Sequence, residues 1–187
     1  MQIEIILAGF GGQGIMFAGQ ILSYAAIDTG KQVTWIPSYG PEMRGGTANC
    51  TVVIADEEIG SPLVQYPPVA LTMNLQSFDK YEPLMRKGGT LVVNSSMVDR
   101  PAKRTDIKAI YVPANEIAEE IGDKRLANMV AIGALLASAI PVLSVKDLEA
   151  TLNAHMPGRH KHLLPKNVEA LKRGEAYAKQ ELAKVKA

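Results

Sequence analysis

The chain is poor in the residues that most often announce chemistry. It carries one cysteine, one tryptophan and three phenylalanines in 187 residues. A lone cysteine, Cys50, cannot close an internal disulfide or supply the four thiolates that an iron–sulfur cluster usually takes, so this chain by itself holds neither. Charge of one sign is also missing. With 20 Lys and Arg against 19 Asp and Glu the formal net charge is +1, too little to neutralise many phosphates along a nucleic-acid duplex. Nor is there a long apolar run: the longest, Leu126 to Ile140, falls short of the roughly 20 residues that cross a bilayer and is broken by Asn128, Gly133 and Ser138. It reads as a buried helix. The N-terminus enters an apolar stretch without a basic n-region or a signal cleavage site, so a cytoplasmic protein is expected.

What the chain does have is material for a core. A hydrophobic fraction of 47% against 21% charged residues excludes disorder as the default, and the length suits one domain at roughly 100–200 residues each. Residues 1–187 are therefore read as a single unit with a helical segment from about residue 144. Ile3 to Ala8 is rich in β-branched residues and stops at a cluster of glycines, as a buried parallel strand does. From Gln13 to Thr29 apolar residues recur three or four apart, with Gly30 placed to end a helix. Val33 to Ile36 resumes strand character, which completes a βαβ unit and implies a parallel sheet.

Further strands are predicted at Thr47–Ile54, Val69–Met73, Thr90–Asn94 and Ala109–Val112, with a helix near Ser77–Arg86. Asp56-Glu57-Glu58 before Ile59 reads as a hairpin turn that would put an antiparallel pair on the sheet. The rest is helical. Asn115–Ile121 stops at Gly122, Leu126–Ile140 stops at Pro141, Ser144 with Asp147 forms a variant capping box, and Pro165 opens a last, charged helix. The fold class is α/β: a Rossmann-like, doubly wound, mostly parallel sheet with helices on both faces.

Gly9-Phe10-Gly11-Gly12-Gln13-Gly14 fits G-x-G-x-x-G and stands after a strand at the mouth of a helix, where the pattern has physical meaning. Glycines permit positive φ and close backbone approach, while the unpaired N–H groups of the first helical turn point at an anion. A phosphate or carboxylate is the natural guest; the bland alternative is a tight turn that serves packing alone. A dinucleotide site would add an Asp or Glu at the end of the second strand for the ribose hydroxyls. None is there: the strand runs into Pro37 and Ser38, and the nearest acids are Asp28 and Glu42. A second block, Ser38-Tyr39-Gly40-Pro41-Glu42-Met43-Arg44-Gly45-Gly46, leaves the carboxyl end of that strand, the edge where such sheets bind ligands. It offers two hydroxyls, a carboxylate and, in Arg44, the best anion fork of the chain. Equally, Glu42 and Arg44 could pair with each other or with a partner and only hold the loop.

In this order and spacing GFGGQG and SYGPEMRGG resemble the gamma subunit, or gamma domain, of the 2-oxoacid:ferredoxin oxidoreductases, the pyruvate/ketoisovalerate/2-oxoglutarate oxidoreductase catalytic domain family. The likeness runs on through Ile59-Gly60-Ser61-Pro62, Met73-Asn74, Gly88-Gly89 and Asn94-Ser95-Ser96 to Asn128-Met129. It implies a complex whose alpha and beta subunits hold thiamine diphosphate and Mg2+, whose ferredoxin-like delta subunit holds [4Fe-4S] clusters, and whose electrons pass to ferredoxin. It further implies that gamma helps to form the site for coenzyme A, the acyl acceptor. Carried onto this chain, Gly9, Phe10, Gly11, Gly12, Gln13 and Gly14 would face the coenzyme A phosphates, with Ser38, Tyr39 and Arg44 along the adjoining wall. No catalytic residue and no metal ligand of this chain is implied, and the isolated polypeptide is expected to be silent. The favoured oxoacids are 2-oxoglutarate and branched-chain 2-oxoacids, with pyruvate and indolepyruvate in contention.

Other residues are read more blandly. His155, His160 and His162 stand among Arg159 and Lys161 around Pro157-Gly158, where a cation would be repelled, and a basic loop touching a partner or the nucleotide end of coenzyme A suits them better than zinc. Cys50 on a strand is a small hydrophobe with no base beside it in sequence. Asn74 and Asn94-Ser95-Ser96 follow strands, where they close strands and start helices or else bond a ligand. A stand-alone dehydrogenase is disfavoured by the absent ribose acid; a non-catalytic nucleotide-binding module remains open.

Overall fold

The computed structural model describes residues 1–40 and 46–186, with the side chains of 185 and 186 left aside. Six strands, β1 (Gln2–Phe10), β2 (Gln32–Tyr39), β3 (Thr47–Ala55), β4 (Val69–Thr72), β5 (Thr90–Asn94) and β6 (Lys108–Val112), form one sheet in the order β2-β3-β1-β4-β5-β6. β1, β4, β5 and β6 run parallel, and β3 runs antiparallel to both of its neighbours, β1 and β2. The helices are α1 (Ile15–Asp28), α2 (Leu75–Tyr81), α3 (Ala114–Ile121), α4 (Ala127–Ala139), α5 (Val145–His155) and α6 (Leu164–Lys186).

Two expectations about this sheet are corrected. The β1-α1-β2 crossover does join parallel strands, but they are not neighbours, because β3 is inserted between them. The antiparallel hairpin is β2–β3, closed across residues 40–46 with the Gly40 N–H donating to the Thr47 carbonyl at 2.8 Å. Asp56-Glu57-Glu58 is not a hairpin turn: no strand follows until Val69. Asp56 instead pairs with the N-terminal ammonium and with Lys31, closing the far end of the sheet. The acidic triplet was a turn signal with no second strand behind it.

Strand parity divides the core. Ile3, Ile5 and Leu7 of β1 point into a large cluster with α1, α3, α4, α5 and α6, whereas Ile6 and Ala8 point into a smaller one with Phe78 and Tyr81 of α2. Helices thus cover both faces, unequally. The apolar run predicted to be a buried helix is α4, preceded by a 3-10 turn at Lys124–Leu126. Its residues from Ala127 to Leu136 are all buried, because a helix apolar all round needs a cover on both sides; the sheet supplies one and α6 the other. Gly133 of α4 and Gly174 of α6 meet at their crossing, where a Cβ on Gly133 would lie 2.8 Å from the Leu171 carbonyl carbon and one on Gly174 2.7 Å from that of Val130. The predicted helix near Ser77–Arg86 is shorter: α2 gives way to a 3-10 turn at Glu82–Leu84, where Pro83 lacks the N–H that an α-helix would use. Ser144 and Asp147 form the full reciprocal capping box of α5.

Candidate ligand-binding site

The carboxyl ends of β1, β4, β5 and β6 share one edge of the sheet, and the chain leaves β1 and β4 in opposite directions, α1 onto the large cluster and α2 onto the small one. That makes the β1/β4 boundary the topological switch point, where open α/β sheets take their ligands. The glycine loop lies there, and its members divide the labour. Gly12 and Gly14 have φ of 102° and 74°, the left-handed region that a side chain resists. Gly14 is the N-cap of α1 and gives it no side-chain cap, so the first N–H groups of the helix lack an internal acceptor. A Cβ on Gly12 would meet nothing within 4 Å: this residue faces open space. Gly11 N–H donates to the Gly46 carbonyl at 2.9 Å and ties the loop to the start of β3. Gly9 is glycine for an internal reason, since a Cβ there would lie 2.6 Å from Gln13 Oε1.

Gln13 turns inward. Its Oε1 accepts from Phe10 N at 2.7 Å and from Asn74 Nδ2 at 3.3 Å, and its Nε2 donates to the Met73 carbonyl at 3.2 Å. Asn94, fully buried, continues this line of amides: its Nδ2 donates to the Met73 carbonyl and to Asn115 Oδ1, and its Oδ1 accepts from the N–H groups of Ala114 and Ser96. Asn74 caps α2 through Ser77 N–H. Both asparagines end or follow strands; Asn74 starts a helix, whereas Asn94 accepts the first N–H of α3 from across the edge.

Next to the loop opens a cavity of about 200 Å³ lined by Gly12, Gln13, Met73, Asn115, Lys124, Arg125 and Ala127. A second cavity of about 210 Å³, lined among others by Phe17, Arg125, Asn128, Met156, His160 and Asn167, shares Arg125 with it. Larger hollows elsewhere, of about 650 and 550 Å³, lie away from the glycine loop, against β6 and α6 and around Glu82. The lining of the small cavity includes the glycine loop before α1 and adds two cations. Arg125 forks onto Asp123, whose carboxyl it holds down to about 2, and Lys124 pairs with Glu119 at 2.9 Å. Both cations keep most of their surface in solvent. Asn128 braces the loop from α4, its Nδ2 donating to the Gly14 carbonyl at 3.2 Å. Lys124, Arg125 and Asn115 were missed by the sequence reading; a basic pair immediately before an apolar helix was the available signal.

The second predicted block is placed only in part. Ser38 and Tyr39 end β2, on the ligand edge, with Tyr39 65% exposed. Through the pairings Tyr39–Ala48–Gly9 and Ser38–Asn49–Ala8 they stand two strands from the glycine loop, about 10 Å at the usual spacing. Arg44 lies outside the described residues, as do Glu42 and Met43. The histidines do not converge. His155 stacks on Tyr24 at 4.6 Å and meets Asp28 at 3.1 Å, while His160 faces the second cavity; among the described residues no cluster of three or more His, Cys, Asp or Glu is placed to hold a metal. Cys50 is fully buried under α1, and burial pushes its thiol up to about 12. Among the described residues no helix is long and apolar enough to cross a membrane.

Residues 4–177 match the model of the pyruvate ferredoxin/flavodoxin oxidoreductase family. The chain belongs to that family. Among its relatives, a 2-oxoglutarate synthase subunit KorC from Methanothermobacter marburgensis is 40% identical over 182 residues, 93% of this chain and 95% of that protein. The ketoisovalerate oxidoreductase subunit VorA of the same organism is 36% identical over 181 residues, 97% of this chain but 37% of its own length; the chain thus spans little over a third of that relative. The gamma subunit of a keto/oxoacid ferredoxin oxidoreductase from Geobacter sulfurreducens superposes with a TM-score of 0.83 at 29% identity, over 95% of this chain and 97% of that one. A 2-oxoglutarate:ferredoxin oxidoreductase from Magnetococcus marinus, solved with 2-oxoglutarate, coenzyme A and succinyl-CoA bound, superposes with a TM-score of 0.85 at 25% identity over 96% of this chain and 31% of that one.

Proposed function

We propose that this chain is the gamma-type part of a 2-oxoacid:ferredoxin oxidoreductase and that it holds the phosphate-bearing end of coenzyme A. The observation that carries the proposal is the glycine loop before the uncapped start of α1, whose Gly12 and Gln13 line the same cavity as Lys124 and Arg125. Backbone N–H groups and two solvated cations around a concave space suit a polyanion, and they make no demand for a ribose clamp. In this reading the chain binds and orients. The carbon chemistry belongs to thiamine diphosphate with Mg2+ in alpha and beta partners, and the electrons to [4Fe-4S] clusters in a delta partner and then to ferredoxin. The buried Cys50 thiol offers no ligand for such a cluster. The likeness to KorC and VorA favours 2-oxoglutarate or a branched-chain 2-oxoacid as substrate. Ser38 and Tyr39 at the end of β2 form the far wall, within reach of an extended carrier thiol, and Arg44 is assigned to the same ligand by its sequence block alone.

The test is reconstitution with the partner subunits and assay with a panel of 2-oxoacids, a viologen dye and coenzyme A. Lys124→Ala with Arg125→Ala, and separately Gly12→Val, are expected to raise the KM for coenzyme A about ten-fold or more, the loss of one or two charge-assisted hydrogen bonds. An unchanged KM in both variants, with melting curves that show them folded, would overturn the assignment.

A further inference from the structure

We propose that Gln13 is a positioning residue: its carboxamide plugs the crevice between β1 and β4 from within and locks the glycine loop in the shape that turns Gly12, Gly14 and the first turn of α1 toward the ligand. Its place in the sequence pattern reads as a ligand contact. Its geometry says otherwise. A primary amide offers two acceptor sites and two donors, and three of these four are used internally, on Phe10 N, Asn74 Nδ2 and the Met73 carbonyl. Those partners lie on the end of β1, the cap of α2 and the residue that follows β4, so one side chain ties together the three elements that bound the switch point. The bond to Phe10 N at 2.7 Å also folds the loop back on itself, beside the Gln13 N–H donation to the Phe10 carbonyl at 3.1 Å.

Two further observations bear on the same point. Gly9 leaves room for this side chain and not for a ligand, because a Cβ there would stand 2.6 Å from Gln13 Oε1 and 3.0 Å from the Ile15 side chain. The line of amides then continues past Met73 through Asn94 to Asn115, so the edge from β1 to α3 is closed by protein hydrogen bonds. A ligand is therefore kept above the loop, in the cavity whose lining includes Gln13, Met73 and Asn115 and whose cations are Lys124 and Arg125. The loop-locking part of the inference stands on hydrogen bonds alone; the ligand part rests on the coenzyme A reading.

The experiment uses Gln13→Met, which keeps the length and loses every bond, and Gln13→Glu, whose carboxylate still accepts from Phe10 N and Asn74 Nδ2 but cannot donate to the Met73 carbonyl. In the ligand-free full chain, amide hydrogen exchange of Phe10, Gly11 and residue 13, the hydrogen-bonded amides of the loop, is expected to accelerate about ten-fold or more in Gln13→Met, the loss of at least one net hydrogen bond. After correction for intrinsic rates, Gln13→Glu, which keeps both acceptor bonds, is expected to protect the Phe10 amide better than Gln13→Met does at the same pH. Coenzyme A titrated into the reconstituted complex should bind about ten-fold more weakly to Gln13→Met. Unchanged exchange in Gln13→Met, or a Phe10 amide that exchanges as fast in Gln13→Glu as in Gln13→Met, overturns the locking role. Faster exchange with unaltered coenzyme A affinity overturns the link between the lock and the ligand. Failure of the parent complex to bind coenzyme A sinks the proposed function while leaving the exchange result to decide the lock.

Discussion

The crossing of α4 and α6 gives the sharpest test of the packing. Gly133 and Gly174 face the opposing backbone, where added Cβ atoms would lie 2.8 Å and 2.7 Å from carbonyl carbons of the other helix. Ordinary contact begins at 3.4 Å, and the obstacle is main chain, which cannot rotate away as a side chain would. Gly133→Ala or Gly174→Ala therefore forces the helices apart. Overpacking costs about 1–3 kcal/mol, and a backbone obstacle belongs at the top of that range. Alanine returns up to about 1 kcal/mol of helix propensity. The net expectation is a loss of about 1–2 kcal/mol for each variant, a fall in Tm of about 2–8 °C for a chain of this size. Calorimetry or far-UV dichroism on heating, with urea unfolding for the free energy, would measure it. The double variant should lose less than the sum, because the first alanine already opens the gap that the second needs. The reasoning fails if each single variant melts at or above the parent temperature, as alanine in an uncrowded helix would.

Two more predictions concern charge. Glu82 is buried, with its side chain 4% exposed; burial by itself would raise its pKa, but the N–H groups of Arg104 and Lys103 and the Arg100 guanidinium outweigh that and hold it below the usual range. Glu82→Ala should cost about 2–3 kcal/mol by leaving those donors unpaired and should melt the 99–106 loop first; hydrogen exchange confined to its parent pattern would contradict this. Asp123 is lowered to about 2 by the Arg125 fork. A carboxyl depressed in the folded state contributes stability that is complete above its unfolded value near 3.8 and is lost as pH falls toward 2. A carboxyl-carbon NMR titration should therefore show a midpoint near 2, and Arg125→Ala should raise it toward the ordinary range, the backbone N–H of residue 125 still holding part of the shift; a parent midpoint near 3.8 would refute the clamp.

The parallel half of the sheet was legible in the sequence because its signals are local. β-branched runs, helix periods and caps such as Gly122, Pro141 and the Ser144–Asp147 box each act within a few residues. The insertion of β3 was not legible, since which strand pairs with which is decided by packing between residues far apart in the chain: Gln2 faces Ala55 and Phe10 faces Thr47. The site divides in the same way. The glycine loop could be located from its pattern, but the inward turn of Gln13 depends on Asn74, and the cations of the cavity arrive from the 3-10 turn before α4. No spacing rule joins residue 12 to residue 125. Gly9 was legible as a residue without a side chain, whereas the reason, room for a neighbour's amide, exists only in three dimensions.

The reversed strand also accounts for what the loop cannot do. In a dinucleotide fold the acid that grips the ribose sits at the carboxyl end of the strand next to β1, one strand spacing, about 4.8 Å, away. Here that berth is filled by β3, which brings its amino end to the ligand edge, and the tip of β2 has been pushed out to twice the distance. Planting an aspartate at Ile36 or Ser38 would not restore nicotinamide-nucleotide recognition; a whole strand would have to be excised first. Whether an acid can stand one strand from the glycine loop is set by strand order, which no single substitution changes.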